Sequence, residues 1–141
     1  MEEKKKLRFW GIEREIEIVI VVDEEPVFED SQKKACTEVF NNVDKFIRET
    51  ELSVYNYYMS IYKELREQFI FNTNEYAPIV NNESEFAKLV TPTQIMFKET
   101  FGQNKTKFGV LFNCTWDKSH GLAVVFENGK IKEVGEQDII L

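Results

Sequence analysis

The residues with the most chemical potential lie close together. Cys114, Asp117 and His120 are spaced three apart in the run Cys114-Thr115-Trp116-Asp117-Lys118-Ser119-His120-Gly121, and His120 is the chain's single histidine. A thiol, a carboxylate and an imidazole suit two chemistries. Three such ligands with a water in the fourth position would make a catalytic zinc site. A thiolate beside an imidazole base would make a cysteine hydrolase, given a third group to orient the base. Each meets an objection in the sequence. No second His and no neighbouring Cys completes a zinc set. Cys114 falls in an apolar, strand-like pattern of an acidic chain, without the helix N-terminus or adjacent cation that stabilises a thiolate. The favoured reading of this connector is therefore structural. Asp117 accepts backbone hydrogen bonds two or three residues on, Gly121 takes a left-handed conformation, and His120 bonds a nearby carbonyl or carboxylate. No catalytic residue, metal or cofactor is expected and the chain is read as not an enzyme. A small metal-dependent or cysteine-based enzyme using Cys114, Asp117 and His120 is the alternative.

The other candidates are weaker. Glu24-Glu25 and Glu83 with Glu85 are paired carboxylates, but they fall in loops and capping positions, and the glycines are scattered singly, with no phosphate-cradling loop. Tyr57 and Tyr58 are adjacent in a predicted helix and diverge by roughly 100° about its axis. At least one is expected to face solvent, where tyrosine anchors protein interfaces, so the pair forms the candidate interface.

The elements that must position these residues follow from hydrophobic period. Val110, Phe112 and Cys114 fall on one side of an extended segment, and Leu122, Val124 and Phe126 on one side of another. Asn128-Gly129 between two strand-like runs predicts a type I′ hairpin turn. At the N-terminus, Leu7 and Phe9 predict a short strand turning near Gly11, and Glu13 to Val22 a second, stopped by Asp23-Glu24-Glu25-Pro26. A first helix is capped by Asp30 or Ser31 and ends at Asn41-Asn42; a second starts with Asp44 as its cap and runs to about Phe69. In the long connector that follows, Asn82 and Glu85 resemble a capping box for one short helix docking Phe86, Leu89 and Val90. Thr93 to Lys98 is a strand, and Phe101 to Lys105 a turn. The expected architecture is one α+β domain over 1–141: an N-terminal hairpin (1–23), a helical pair (31–70) and C-terminal antiparallel strands (93–141), with the two helices packed on one face of an antiparallel sheet.

Composition narrows the function classes. A formal charge of −7 over 141 residues argues against nucleic acid and favours a basic protein partner. Cys36 and Cys114 read as small buried apolar residues, not a metal or redox pair. Neither a signal peptide nor a membrane-spanning run is expected, which makes the cytoplasm the default location and leaves the matches Asn104-Lys105-Thr106 and Asn113-Cys114-Thr115 to a glycosylation pattern without meaning.

The run from Gly109 to Ile139, G-V-L-F-N-C-T-W-D-x-x-H-G-L-A-V-V-F-x-N-G-K-x-x-x-V-G-x-Q-D-I, resembles a bacterial domain-of-unknown-function family whose members close on this pattern. Val90-Thr91-Pro92-Thr93 before a strand and Tyr57-Tyr58 in a long helix are similar to it as well. The matched positions are Cys114, Trp116, Asp117, His120, Gly121, Leu122, Gly129, Gly135, Gln137 and Asp138. The resemblance implies a small, soluble bacterial protein with no activity to carry over. In size and setting its members also resemble the immunity-type proteins that accompany polymorphic toxins, which is an analogy. The expected function is a non-catalytic protein-binding domain with a basic partner.

Overall fold

The computed structural model describes residues 2–22, 29–69 and 71–141. Strands β1 (Glu2–Phe9) and β2 (Ile12–Ile20) pair antiparallel about the two-residue turn Trp10-Gly11. One side of this ribbon carries Lys4 opposite Glu17, Lys6 opposite Glu15 and Arg8 opposite Glu13. Opposite charges facing across strands contribute roughly 0.2–1 kcal/mol each, and lysines along the outermost strand discourage edge-to-edge pairing. The stop expected at Asp23 to Pro26 lies outside the described residues.

Helices α1 (Asp30–Asn41) and α2 (Val43–Gln68) break where Asn41-Asn42 predicts. Their caps differ from expectation. Glu29, not Asp30 or Ser31, caps α1, its amide donating to Gln32 Oε1 at 3.0 Å. Asp44 lies inside the first turn of α2, where its charge complements the helix dipole, and Asn42 takes the cap position. The connector holds an unanticipated turn of helix, α3 (Thr73–Tyr76), and a 3₁₀ segment, Glu83–Lys88, which buries Phe86 beside Leu89 and Val90. Glu85 accepts from the amide of Asn81, one residue before the expected Asn82. Among the described residues, no helix is long and apolar enough to cross a membrane.

Strands β3 (Val90–Phe97), β4 (Lys107–Cys114), β5 (Leu122–Glu127) and β6 (Lys130–Gly135) complete a six-stranded sheet in the order β1-β2-β3-β4-β5-β6. The Asn128-Gly129 turn between β5 and β6 has φ of 55° and 77°, as the sequence predicts for a type I′ hairpin. The fold is α+β with a mostly antiparallel sheet. The expectation of a purely antiparallel sheet needs one correction, because β2 and β3 pair parallel through Glu17–Gln94 to Ile20–Phe97. The physical reason is the connection: the chain leaves β2, passes through the helices and returns in the same direction, which is a crossover. That pairing joins the N-terminal hairpin to the C-terminal strands.

Alternate residues of the inner strands enter two separate buried clusters, as their period of two requires. The larger takes Phe97, Phe108, Phe112 and Phe126 from the sheet together with Val39 of α1 and Phe46, Val54 and Tyr58 of α2. The smaller consists of Leu111, Ala123, Val125 and Ile140, with Met96 and Ile139 packed against it. Ile140 follows a 3₁₀ turn, Gln137–Ile139, that folds back over the sheet. It seats directly on Gly109, where an added Cβ would meet Ile140 Cγ1 at 2.6 Å. Gly109→Ala is expected to lift Ile140 from the sheet and lower the unfolding free energy by about 1–3 kcal/mol, as overpacking does. The denaturation midpoint measures it.

Candidate functional site

The connector between β4 and β5 is tied down by its backbone. Thr115 donates its amide to the Leu89 carbonyl and its hydroxyl to the Tyr76 carbonyl, both at 2.9 Å. Gly121 donates to the Asp117 carbonyl at 3.0 Å and closes the loop at φ +64°, so close to the Phe112 carbonyl that a Cβ would lie 2.8 Å from its oxygen. Gln137 then fastens the C-terminal turn to this loop. Its amide donates to the His120 carbonyl at 3.1 Å and its side chain to the Phe112 carbonyl at 2.9 Å.

The three chemistry-bearing side chains part company on this frame. Cys114 is buried, its Sγ donating to the Asp117 carbonyl at 3.4 Å, and burial pushes its thiol up to about 12. A thiol held that firmly protonated is no nucleophile at neutral pH. Asp117 and His120 lie on the outside. Asp117 Oδ1 accepts the His120 amide at 3.1 Å, and His120 Nδ1 lies 3.0 and 3.1 Å from the two carboxylate oxygens. A cleft of ≈ 400 Å³ beside the connector is lined by Cys114, Thr115 and Lys118 but by neither Asp117 nor His120. The expected structural roles of Asp117 and Gly121 match this geometry, and His120 finds its carboxylate within the loop.

Of the remaining candidates, Trp116 is buried against Tyr58, ring centroids 5.0 Å apart. Tyr58 is a correction. It is fully buried, its hydroxyl donates to the Pro78 carbonyl at 2.6 Å, and burial pushes it up to about 12, so it belongs to the core and not to an interface. The broad apolar arc of α2 is the reason: the helix is covered by the sheet on one side and by the 72–92 connector on another. Tyr57 is half-buried, with its hydroxyl also shifted upward by burial. Asp138 is exposed beside the loop, and its field raises the proton affinity of His120.

Two residues absent from the sequence reading, Glu136 and Glu29, and one read there only as the start of a turn, Phe101, carry most of what remains. Glu136 brings a carboxylate to the Asp117–His120 pair, the donor atoms of all three lying within 4.8 Å of one another. Glu29 gathers the turn after β3: its Oε2 accepts from the Thr100 amide at 2.9 Å and its Oε1 from the Phe101 amide at 3.0 Å. Phe101 stands on that turn. Besides the turn expected at Phe101, Glu29 left a local trace, its three-residue spacing to Gln32 matching a capping box with an unusual first residue. Two adjoining clefts open near this turn. One of ≈ 740 Å³ is lined by polar groups including Glu29, Ser31, Thr100 and Lys105. The other, ≈ 750 Å³, has a floor of Val39, Phe46, Phe108, Phe126 and Ile131. Neither contains a cysteine or the histidine.

The Asp117 hydrogen bond is the largest influence on His120 and raises its pKa, with Glu136 and Asp138 adding to the effect. Because the folded value lies above the unfolded one, the stability His120 contributes is complete below about pH 6.5 and is lost as pH rises through the folded pKa. An NMR titration of this single imidazole is expected to give a midpoint above about 6.5, returning towards it in Asp117→Asn. His120→Ala is expected to leave the denaturation midpoint nearly unchanged, since the side chain is exposed. Gly121→Ala should cost about 2 kcal/mol or more, from its left-handed φ and the close carbonyl.

Comparison with known proteins places the chain by family alone. No curated protein and no solved structure matches it. One family model, described as "Domain of unknown function (DUF6985)", matches residues 1–141, in line with the resemblance drawn from the sequence. The chain belongs to this domain-of-unknown-function family.

Proposed function

We propose that this protein is a small, non-catalytic protein-binding domain that presents Phe101 to a partner, with an immunity-type role as the specific form that the analogy suggests. In this reading α1 and α2 cover one face of the sheet, the C-terminal turn covers part of the other, and contact is made at the rim by the turn after β3. The observation that carries it is a contrast between two aromatic residues. Trp10 and Phe101 each sit first in a two-residue turn at positive φ, 49° and 51°, followed by Gly11 and Gly102. A bulky residue in that conformation costs on the order of 1 kcal/mol or more. Trp10 offsets the cost by packing against Phe9, Phe86 and Phe112, and is 8% exposed. Phe101 is 73% exposed, and among the described residues its ring meets no other aromatic ring. Strain held in place by a clamp is characteristic of sites kept for contact. The clamp is Glu29, whose carboxyl is held below its usual range chiefly by the Thr100 amide. The overall charge of −7 favours a basic partner.

The enzyme alternative loses its cysteine half to the buried thiol of Cys114. The substitution that separates binding from folding is Phe101→Asn, because asparagine tolerates the left-handed region. It is expected to raise the unfolding free energy by about 0.5–1 kcal/mol. In affinity capture it should lose a partner that the unaltered protein retains at low ionic strength and releases as salt rises. Capture that is indifferent to both the substitution and the salt would count against the reading.

A further inference from the structure

We propose that Asp117, His120 and Glu136 form a binding site for a divalent transition-metal ion of the zinc class. The sequence reading had set a metal aside because no further ligand stood near Cys114, Asp117 and His120. The fold removes Cys114 and supplies Glu136 from the far end of β6. Two separate segments meet here, the loop after β4 and the residues after β6, and the hydrogen bond from the Gln137 amide to the His120 carbonyl at 3.1 Å holds them together. The three donor atoms already lie within 4.8 Å of one another. A tetrahedral ion with bonds of about 2.1 Å separates its ligands by roughly 3.4 Å. His120 and Asp117, 3.0 Å apart at their nearest donor atoms, are close to that spacing already. Glu136 is exposed, so its side chain is free to swing the remaining distance.

Charge points the same way. Two carboxylates around a neutral imidazole carry −2, and Asp138 adds a further negative field. Among the described residues, Asp117 pairs only with His120 and Glu136 has no ion pair. A divalent cation would neutralise the cluster. The imidazole nitrogen selects the zinc-class metals over magnesium and calcium, which prefer oxygen alone. The open side of an exposed cluster leaves room for water to complete the coordination. The metal would take the place of the proton between His120 and Asp117, so acid should weaken binding, by about tenfold per pH unit below the histidine pKa. This site is independent of the Phe101 reading and needs no partner.

The test uses the full chain without a histidine tag, because His120 is the only imidazole in the molecule. Zinc chloride is titrated while calorimetry follows stoichiometry and NMR follows the His120 ring. One ion should bind, with the ring resonances shifting in step. His120→Gln and Glu136→Gln should each weaken binding by at least about tenfold, while Glu133→Gln, exposed and outside the cluster, leaves it unchanged. All three positions are exposed, and matching circular dichroism spectra establish that the variants fold. Zinc that fails to saturate or leaves the ring unmoved would overturn the proposal, as would binding undiminished in either His120→Gln or Glu136→Gln.

Discussion

The constraint on which the rest of the structure depends is that β4 from Phe108 to Phe112 and β5 from Leu122 to Phe126 have no wet face. Val110, Phe112, Val124 and Phe126 enter one buried cluster while Leu111, Ala123 and Val125 enter another. A sheet whose central strands are apolar on both sides must be covered twice. The larger cluster includes Val39 of α1 and Phe46, Val54 and Tyr58 of α2, and the turn after β6 supplies the cover of the smaller. That second cover is slight: Ile140 on Gly109, Ile139 beside it, and Gln137 hydrogen-bonded to two carbonyls.

Seen this way, the residues around His120 and the Gly135 to Ile139 segment are two halves of one clasp. Gly121 has to be bare because an added Cβ would lie 2.5 Å from the Gln137 side-chain nitrogen as well as against the Phe112 carbonyl. Trp116 and Cys114 anchor the loop in the larger core. The spacing that suggested an active site arises from the turn itself. Asp117 is needed to cap the loop, Cys114 to end a buried strand, and His120 is left outside with its ring against the Asp117 carboxylate. Any chemistry at this place therefore belongs to the exterior trio of Asp117, His120 and Glu136, and not to the thiol.

Much of the scaffold was legible in the sequence because its signals are local. The alternation of β4 and β5, the Asn128-Gly129 turn and the helix break at Asn41-Asn42 each follow from residues within a few positions of one another. The parts that were not legible depend on distant partners. Parallel pairing of β2 with β3 brings Glu17 to Gln94, and nothing in either strand's own pattern distinguishes parallel from antiparallel company. Glu29 acts on Thr100 and Phe101, some seventy positions along the chain. Tyr58 looked like half of an exposed pair because helical period separates neighbours but does not say how many sides of the helix are covered. For the candidate site, Asp117, His120 and Gly121 were identified by type and spacing, and Gln137 only as a position matched by the family resemblance. Glu136 was not, since a single glutamate after a strand carries no local mark.

The clasp is the claim most directly open to measurement, through Gln137→Ala. Amide hydrogen exchange and denaturant unfolding of this variant would report on the joint without touching either core. A loss of about 1–3 kcal/mol is expected, the cost of leaving the Phe112 carbonyl without the Gln137 side-chain donor. Protection should fall together at the Gln137 and Ile140 amides and in the loop at Gly121. Unchanged stability, with those amides as slow to exchange as before, would contradict it and return the loop and the C-terminal turn to being unrelated neighbours.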